Sequence, residues 1–311
     1  MKIKQILVGV ATLIPGVNRL VGRGTGGSGN ARYCYSVWMR HLVNAVKNGM
    51  KEVPEVVAEL GPGDSLGVGI AALLSGSKKY FAFDVVRYAD KKKNALILGE
   101  LTELFRSKEP VPGDDEFPRV RPKLDDYSFP SEIISNEAIN RMTSTKRLES
   151  IRKSIDGSGE LINYFVPWDD SRIIKEESVD MVVTQAVLEH IDDTEGTVNN
   201  IKKWLKPGGV MSHVIDFSSH GMSGYWNGHW GFSDFLWKII RGKRRWSINR
   251  KTHGEYIKIM EKSGFKIAAD IKFKGENGIK RKKMDKRFVN MSEEDFETRA
   301  AYILGFSGVK S

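Results

Sequence analysis

ELGPGDSLG, residues 59–67, begins with the last two residues of the short apolar run EVVAEL (55–60) and leads into the apolar segment GIAALLSG at 69–76. A short apolar run that ends in a glycine-rich turn and continues as a helix is typical of a buried parallel strand. Glycines let such a turn tighten and let the backbone approach a ligand closely. The stretch therefore predicts an α/β fold with a ligand at the carboxyl end of the first strand.

Two classes of ligand-binding turn are disfavoured by the residues present here. Leu66 stands where a nicotinamide-binding turn needs its third glycine, and no Gly-Lys-Ser/Thr follows, as a P-loop requires. The second apolar run, KKYFAFDV, reaches Asp84, 23 residues after Gly61. A carboxylate at that position can accept hydrogen bonds from both ribose hydroxyls of an adenosine.

The rest of the chain repeats the strand–helix pattern. Helices are predicted at 198–209, closed by the turn KPGG, and at 251–265. Two excursions, at about 87–157 and 217–250, exceed ordinary connections and are expected to form lids or substrate-binding elements. Further strands are predicted at 78–85, 159–166, 178–185, 210–217, 266–273 and 300–308. Alternation of this kind favours a sheet with helices on both faces.

Composition limits the function classes. The chain has 311 residues, 40% of them hydrophobic, and a formal net charge of +10. Its single cysteine, Cys34, excludes an intramolecular disulfide and favours a reducing compartment. The positive excess lies in KIIRGKRRWSINRK (238–251) and KGENGIKRKKMDKR (274–287). These clusters favour an anionic partner, such as nucleic acid, acidic lipid or a phosphorylated sugar, or are simply a solvated basic surface.

The N-terminal segment MKIKQILVGVATLIPGV is apolar but too short to span a bilayer. Pro15-Gly16 makes a poor signal-peptide cleavage site. We expect a short helix that lies on a membrane surface or packs on the protein's own core.

Four segments, taken in order, resemble the class I S-adenosylmethionine-dependent methyltransferases. They are ELGPGDSLG, Asp84, VDMVVTQAVLEHIDD (179–193) and WLKPGGVMSHVID (204–216). The chain looks most similar to the small-molecule branch that shares the LEH motif. GTGGSGNARYCYSVWMRHL (24–42) and the strand H-x-I-D also resemble members associated with bacterial surface polysaccharides. The resemblance covers roughly residues 55–270, and two departures are Ser65 and the long insertion at 87–157.

The resemblance implies S-adenosylmethionine as the cofactor and assigns residues to it. Glu59, Gly61, Pro62 and Gly63 would shape the pocket for its methionine part, and Asp84 would hold the ribose. Trp168 would stack on the adenine ring, with Asp169 (or the adjacent Asp170) near its amino group. Gln185 would lie beside the sulfonium.

Methyl transfer to a hydroxyl needs a base, and histidine suits that task near neutral pH. Asp216, at the end of the fifth strand, and His220, in the loop after it, are the predicted catalytic pair, with His190 as the alternative base. The alternative for His190 is a side chain that only lines the pocket or caps local backbone. His213 points to the opposite face of its strand from Asp216 and is expected to be structural.

No metal is expected. In some quinone O-methyltransferases a Glu-x-x-x-Glu-His pattern holds a divalent ion, but Gln185 here replaces the first glutamate. The aromatics of 225–246 (Tyr225, Trp226, Trp230, Trp237 and Trp246) suggest either a sugar- or base-stacking surface or a lid packed on the core.

The predicted architecture is α/β: a seven-stranded, mostly parallel, Rossmann-like methyltransferase sheet with helices on both faces and a reversed last strand. Residues 1–54 would form an N-terminal helical cap and 55–311 the methyltransferase domain with its two insertions. The predicted activity is O-methylation of a sugar or other hydroxylated small molecule, in the cytoplasm or at the inner face of the membrane. The alternatives are an RNA methyltransferase, although TQAVLEH stands where an Asp/Asn-Pro-Pro-Tyr/Phe motif would follow strand four, and a non-catalytic cofactor-binding module.

Overall fold

The computed structural model describes residues 2–14, 27–168, 173–244 and 247–308. Within these residues, seven strands form one sheet in the order β3-β2-β1-β4-β5-β7-β6. The strands are β1 Val56–Leu60, β2 Lys79–Phe83, β3 Ile162–Phe165, β4 Val179–Gln185, β5 Leu205–Asp216, β6 Phe265–Lys274 and β7 Thr298–Ser307. The first five pair in parallel, and β7 runs antiparallel to both β5 and β6. This confirms the predicted sheet and its reversed last strand.

Helices cover both faces of the sheet. The helices of the described residues are α1 Lys2–Ala11, α2 Ala31–Lys47, α3 Gly67–Ser75, α4 Lys91–Arg106, α5 Asn136–Met142, α6 Thr145–Asp156, α7 Thr194–Trp204, α8 Asp234–Arg241, α9 His253–Lys262 and α10 Glu293–Glu297. Successive residues of β1 face opposite sides of the sheet. Val57 belongs to the core under α2, α3 and α4, and Ala58 belongs to the core under α7 and α9. Such strands are buried on both faces, which explains their continuous apolar runs.

The parallel strands place their carboxyl ends along one edge. Leu60, Phe83 and Gln185 end β1, β2 and β4 there, and β1 lies between β2 and β4. The chain reverses its winding direction at β1, which is where ligands bind in open α/β sheets.

One predicted boundary is wrong. The helix expected at 198–209 ends at Trp204, and Lys206-Pro207-Gly208-Gly209 belongs to β5. Leu205 already pairs with Val179, and the register then shifts before Met181 pairs with Val210. Proline cannot continue the helix, so the chain enters the sheet earlier than the sequence pattern indicates.

The first 54 residues do not behave as one unit in the structure. Helix α2 packs against α3, α4 and β5, and its Trp38 and Met39 are completely buried in the main core. Helix α1 instead packs on α8, in the second excursion. The domain boundary at 54 therefore stays a prediction, and α2 is part of the core that surrounds β1.

The described residues of both long excursions contain helices. The first contains α4, α5 and α6, and the second contains a short 3-10 turn at Gly228–Gly231 followed by α8. None of the helices in the described residues is long and apolar enough to cross a membrane.

Candidate active site

The glycine turn after β1 depends on backbone conformations that favour glycine. Gly61 and Gly63 have φ angles of +70° and +73°. A Cβ at Gly61 would lie 2.6 Å from Cγ2 of Val187, in the segment after β4. The side chain is therefore excluded on two grounds, strained backbone and lack of space, and the turn can approach β4 closely.

A cavity of about 560 Å³ opens at this turn. All predicted cofactor residues that the structure describes line it; these are Glu59, Gly61, Pro62, Gly63, Asp84, Trp168 and Gln185. His190 and His220 line it too. Asp169 lies outside the described residues, so its predicted contact with adenine stays a prediction.

Asp84 is positioned to receive hydroxyl groups. It follows β2, and its Oδ1 accepts a hydrogen bond of 2.7 Å from the backbone amide of Val85. Burial raises the pKa of Asp84, while backbone hydrogen bonds oppose that rise. Its carbonyl oxygen also accepts a hydrogen bond from the amide of Trp168, 3.2 Å away, so the residues predicted to contact the ribose and the adenine are linked directly.

Glu59 is a buried carboxyl at the cavity wall. It accepts a hydrogen bond from the hydroxyl of Tyr80, 2.5 Å away. Burial raises the pKa of Glu59 to about 8. A positively charged group in the cavity would favour the ionised form of this carboxyl, which fits a cofactor that carries an ammonium and a sulfonium.

Three cavity residues from the N-terminal segment were not predicted: Ser28, Tyr33 and Val37. Ser28 holds the glycine turn, because its hydroxyl oxygen accepts from the amide of Asp64 at 2.7 Å and its carbonyl accepts from the hydroxyl of Ser65. Ser65, a departure from the family pattern, thus fixes the start of α2 against the turn. No local sequence pattern indicates that these two segments, more than 30 residues apart, come into contact.

Gln185 connects the cavity to a buried polar chain. Its Oε1 lies 3.1 Å from Nε2 of His41, whose Nδ1 lies 2.7 Å from the hydroxyl of Ser212. Ser212 lies 3.0 Å from the hydroxyl of Tyr302. Burial lowers the pKa of His41 to about 4, so the ring is neutral at pH 7 and orients Gln185 without adding charge.

The predicted catalytic pair is brought together at the cavity wall. Nε2 of His220 lies 3.4 Å from Oδ2 of Asp216 and 3.9 Å from Oε1 of Glu189. Glu189 is 2% exposed, accepts a hydrogen bond from the amide of Asp216, and its Oε2 has no hydrogen-bond partner among the described residues. Glu189 was not among the predicted catalytic residues, because only the fold brings it against β5.

The neighbouring groups in this cluster shift the pKa of His220. Burial of the ring disfavours its protonated form, but the close contact with the carboxylate of Asp216 outweighs this and raises the pKa of His220. Burial also disfavours the charged carboxylate of Asp216, yet its bond to His220 lowers its pKa overall. Burial raises the pKa of Glu189 to about 8. Asp216 is absent from the cavity lining, so it acts on His220 from behind.

His190 is a weaker base. Its Nδ1 lies 3.3 Å from the carbonyl oxygen of Ser247, and burial together with the nearby His220 lowers its pKa to about 4. The two rings meet edge to face, with centroids 4.9 Å apart. His190 is therefore neutral at pH 7 and suited to line the pocket and orient a ligand.

The side chains of this cluster could also hold a metal ion, with Glu189, His190 and His220 as the ligands. One donor atom from each lies within 4.8 Å of the others. Imidazole and carboxylate are ligands that divalent transition metals accept. The absence of a metal, expected from Gln185, therefore stays a prediction with a direct test.

His213 has the structural position that the strand alternation predicts. It is completely buried on the face opposite Asp216, and its Nδ1 lies 3.0 Å from the hydroxyl of Thr184. Burial lowers its pKa to about 3.

Most of the aromatic segment packs into the protein. Trp230 and Trp237 are buried, and the indole of Trp230 donates to the carbonyl oxygen of Arg250. Tyr225 is the exposed member of the set, at 47%. Trp246 lies outside the described residues.

One protein family and several solved structures are similar to this chain. A family model described as a methyltransferase domain matches residues 140–212, which include β3, β4 and the Leu188–His190 turn. No curated protein matches the sequence. Among solved structures, an S-adenosylmethionine-dependent methyltransferase from Mesorhizobium loti is 13% identical, with 90% of this chain and 100% of that chain covered and a TM-score of 0.44. Phosphoethanolamine N-methyltransferase 2 from Haemonchus contortus, in complex with S-adenosyl-L-methionine, is 14% identical, with 90% and 57% covered and a TM-score of 0.43.

Proposed function

We propose that this S-adenosylmethionine-dependent methyltransferase transfers the methyl group to a hydroxyl oxygen of a sugar or another hydroxylated small molecule. The observation that carries the proposal is the position of His220. Its ring lines the same cavity as the cofactor residues, and its Nε2 faces Asp216 and Glu189. A hydroxyl acceptor must lose a proton as it attacks, and this pair can take it.

The bound cofactor supplies an electrophilic methyl group on a sulfonium. Asp84 and Trp168 would hold its adenosine part, and Glu59 and the glycine turn would hold its methionine part. The chain must place the acceptor oxygen roughly 3–3.5 Å from the methyl carbon and in line with the bond that breaks. The oxygen gains a bond to the methyl carbon, and the electrons of the broken bond return to sulfur.

His220 removes the acceptor proton. Nε2 lies 3.4 Å from Oδ2 of Asp216, and with this nitrogen paired to the carboxylate, Nδ1 would be the basic atom that accepts the hydroxyl proton. A general base works best when its pKa lies near the working pH. Enough of the ring is then neutral to accept a proton, and the ring still binds that proton firmly. His190, neutral beside it, orients the acceptor.

The charge distribution supports a small acceptor over RNA. Several of the C-terminal basic side chains are already paired with carboxylates, which reduces the positive field open to phosphates. The pairs are Arg250 and Arg287 with Asp234, Arg281 with Glu293, and Lys272 with Asp270 and Glu294. We place the enzyme in surface-polysaccharide synthesis, in the cytoplasm or at the inner face of the membrane, on the resemblance of residues 24–42 and of the strand H-x-I-D.

The experiment is transfer of a labelled methyl group from S-adenosylmethionine to a panel of acceptors, with wild type and His220→Ala side by side. Free sugars, nucleotide sugars and lipid-linked saccharides form one arm, and transfer RNA and ribosomal RNA the other. Label in a saccharide that depends on His220 supports the proposal. Label in RNA alone would overturn it.

A further inference from the structure

Helix α1 presents an apolar stripe to solvent. Ile3, Leu7 and Val10 follow at intervals of four and three residues, which places them on one side of the helix, and Ile14 lies in the turn that follows it. Their exposed fractions are 73%, 64%, 46% and 58%. Leu13 at 53%, and Phe235 of α8 at 76%, are also exposed. We call these six residues the α1–α8 face. Contiguous exposed apolar residues of this kind mark an interaction site.

The opposite side of α1 is firmly held. A Cβ at Gly9 would lie 2.1 Å from the carbonyl oxygen of Ile239, so the two backbones approach as closely as only glycine permits. The hydroxyl of Thr12 accepts from the amide of Lys243 at 2.9 Å, and Ile6 packs on the small core around Trp237. The apolar stripe is therefore displayed in a fixed position by a docked helix.

Basic side chains accompany the α1–α8 face. Residues 2–14 include Lys2 and Lys4 and contain no acidic residue. Lys4, Lys238 of α8 and Lys243 just after it are exposed. An apolar stripe with lysines beside it is the pattern of a helix that lies in a bilayer interface and is attracted by anionic lipid.

The α1–α8 face also adjoins the catalytic loop. The side-chain amide of Gln5 donates to the carbonyl oxygen of Gly221 at 2.7 Å, and Gly221 directly follows His220. The guanidinium of Arg244 in turn donates to the carbonyl oxygen of Gln5 at 2.8 Å. A surface seated on this face would lie next to the loop that carries the base.

We propose that the α1–α8 face seats the enzyme on an anionic lipid bilayer, with the apolar stripe in the interface and the lysines on the headgroups. A second copy of the chain fits less well, because a two-fold contact sets the same patch against itself and would oppose the lysines of both copies. The closeness to His220 implies that the acceptor is presented at the membrane, and this clause alone rests on the proposed function.

Vesicle co-sedimentation of the full chain tests the proposal, without turnover, so that its outcome is separate from that of the methyl-transfer assay. The probes are phosphatidylcholine vesicles and vesicles that also contain phosphatidylglycerol. Wild type should bind the anionic vesicles and hardly bind the zwitterionic ones. Leu7→Glu should weaken binding about tenfold or more, because an interfacial leucine is lost and a like charge is added.

Matched controls separate this face from the rest of the surface. Leu96, 69% exposed on α4, is as exposed as Leu7, so Leu96→Glu should bind as wild type does. Lys238→Glu should weaken binding about fivefold or more, and Lys146→Glu on α6 should not. Melting temperatures verify that each variant is folded.

Equal binding by the Leu7→Glu and Leu96→Glu variants would overturn the proposal. So would the absence of binding to anionic vesicles. Dimerisation of wild type that Leu7→Glu abolishes, without vesicle binding, would assign the face to a second copy instead.

Discussion

His220 and Asp216 meet four residues apart, with 3.4 Å between Nε2 and Oδ2, although no helix connects them. The connection is a tight loop in which His220 itself has a φ angle of +45°. A non-glycine residue in this left-handed region carries a conformational cost of order 1–3 kcal/mol, which the surrounding contacts must offset. The loop thus turns the ring back toward the end of β5, where Asp216 and Glu189 hold it.

Replacement of His220 tests the base directly. His220→Ala should lower kcat about 10²–10⁴-fold, because the acceptor proton is no longer removed in the transition state. The affinity for S-adenosylmethionine should change little. Single-turnover kinetics and calorimetry measure the two effects.

A remote histidine–aspartate pair provides the control for this variant. His253 contacts Asp270 with Nε2 and Oδ1 2.7 Å apart, outside the cavity lining, so His253→Ala should keep kcat. If His190→Ala lowers kcat as strongly and His220→Ala does not, the base is His190. If a chelator abolishes activity and a divalent ion restores it, the cluster of Glu189, His190 and His220 is a metal site.

The pH profile tests the role of Asp216 behind His220. The base is active when neutral, so kcat/KM should rise with pH through the raised pKa of His220. Asp216→Asn removes the negative charge that raises this pKa, so the acidic limb of the profile should move to lower pH, and kcat should fall. Asp270→Asn, in the remote pair, should leave the limb in place. An unmoved limb in Asp216→Asn would mean that Asp216 does not act on the titrating group.

Glu189 should make the protein less stable in alkali. Its pKa in the folded state is about 8, above the ordinary value of 4.5, so the folded state binds more protons than the unfolded state between these values. This contribution to the free energy of unfolding is fully present below pH 4.5, is lost progressively as pH rises from there to about 8, and does not change further above 8. Glu189→Gln should reduce the loss between pH 5.5 and 8.5, measured by urea unfolding. The exposed Glu195→Gln should not.

His213 should matter for stability alone. His213→Ala leaves a cavity beside Thr184 and removes a buried hydrogen bond, at a cost of about 1–3 kcal/mol. Thermal unfolding should show a lower Tm, while the folded enzyme keeps its kcat and cofactor affinity. Loss of activity at full stability would place His213 in the catalytic machinery and contradict the strand alternation.

The sheet was predictable because its signal is local. Apolar runs that end in Gly61 or Asp84 mark strands buried on both faces, and the carboxyl ends of such strands must meet at one edge. The prediction that Asp84 contacts a ribose followed from the same argument, whereas the roles predicted for Glu59, Trp168 and Gln185 came from the resemblance to the methyltransferases. Ser28, His41 and Glu189 could not be found in this way, because each acts through a contact with a distant segment. Glu189 is buried and lies near His220 only in the folded chain, so no local sequence pattern reveals this contact.

The most direct test of the central claim is calorimetric titration of the cavity with S-adenosylmethionine and, separately, with NAD. Wild type should bind one S-adenosylmethionine and no NAD. Asp84→Ala should weaken binding by about 1.5–3 kcal/mol, the value of hydrogen bonds to a charged group, and the exposed Asp126→Ala should not. Gly61→Ala should bind weakly or not at all, because its Cβ meets Val187, whereas Gly99→Ala, where a Cβ meets nothing within 4 Å, should bind normally. Binding of NAD alone, or equal affinity in wild type, Asp84→Ala and Gly61→Ala, would contradict the account.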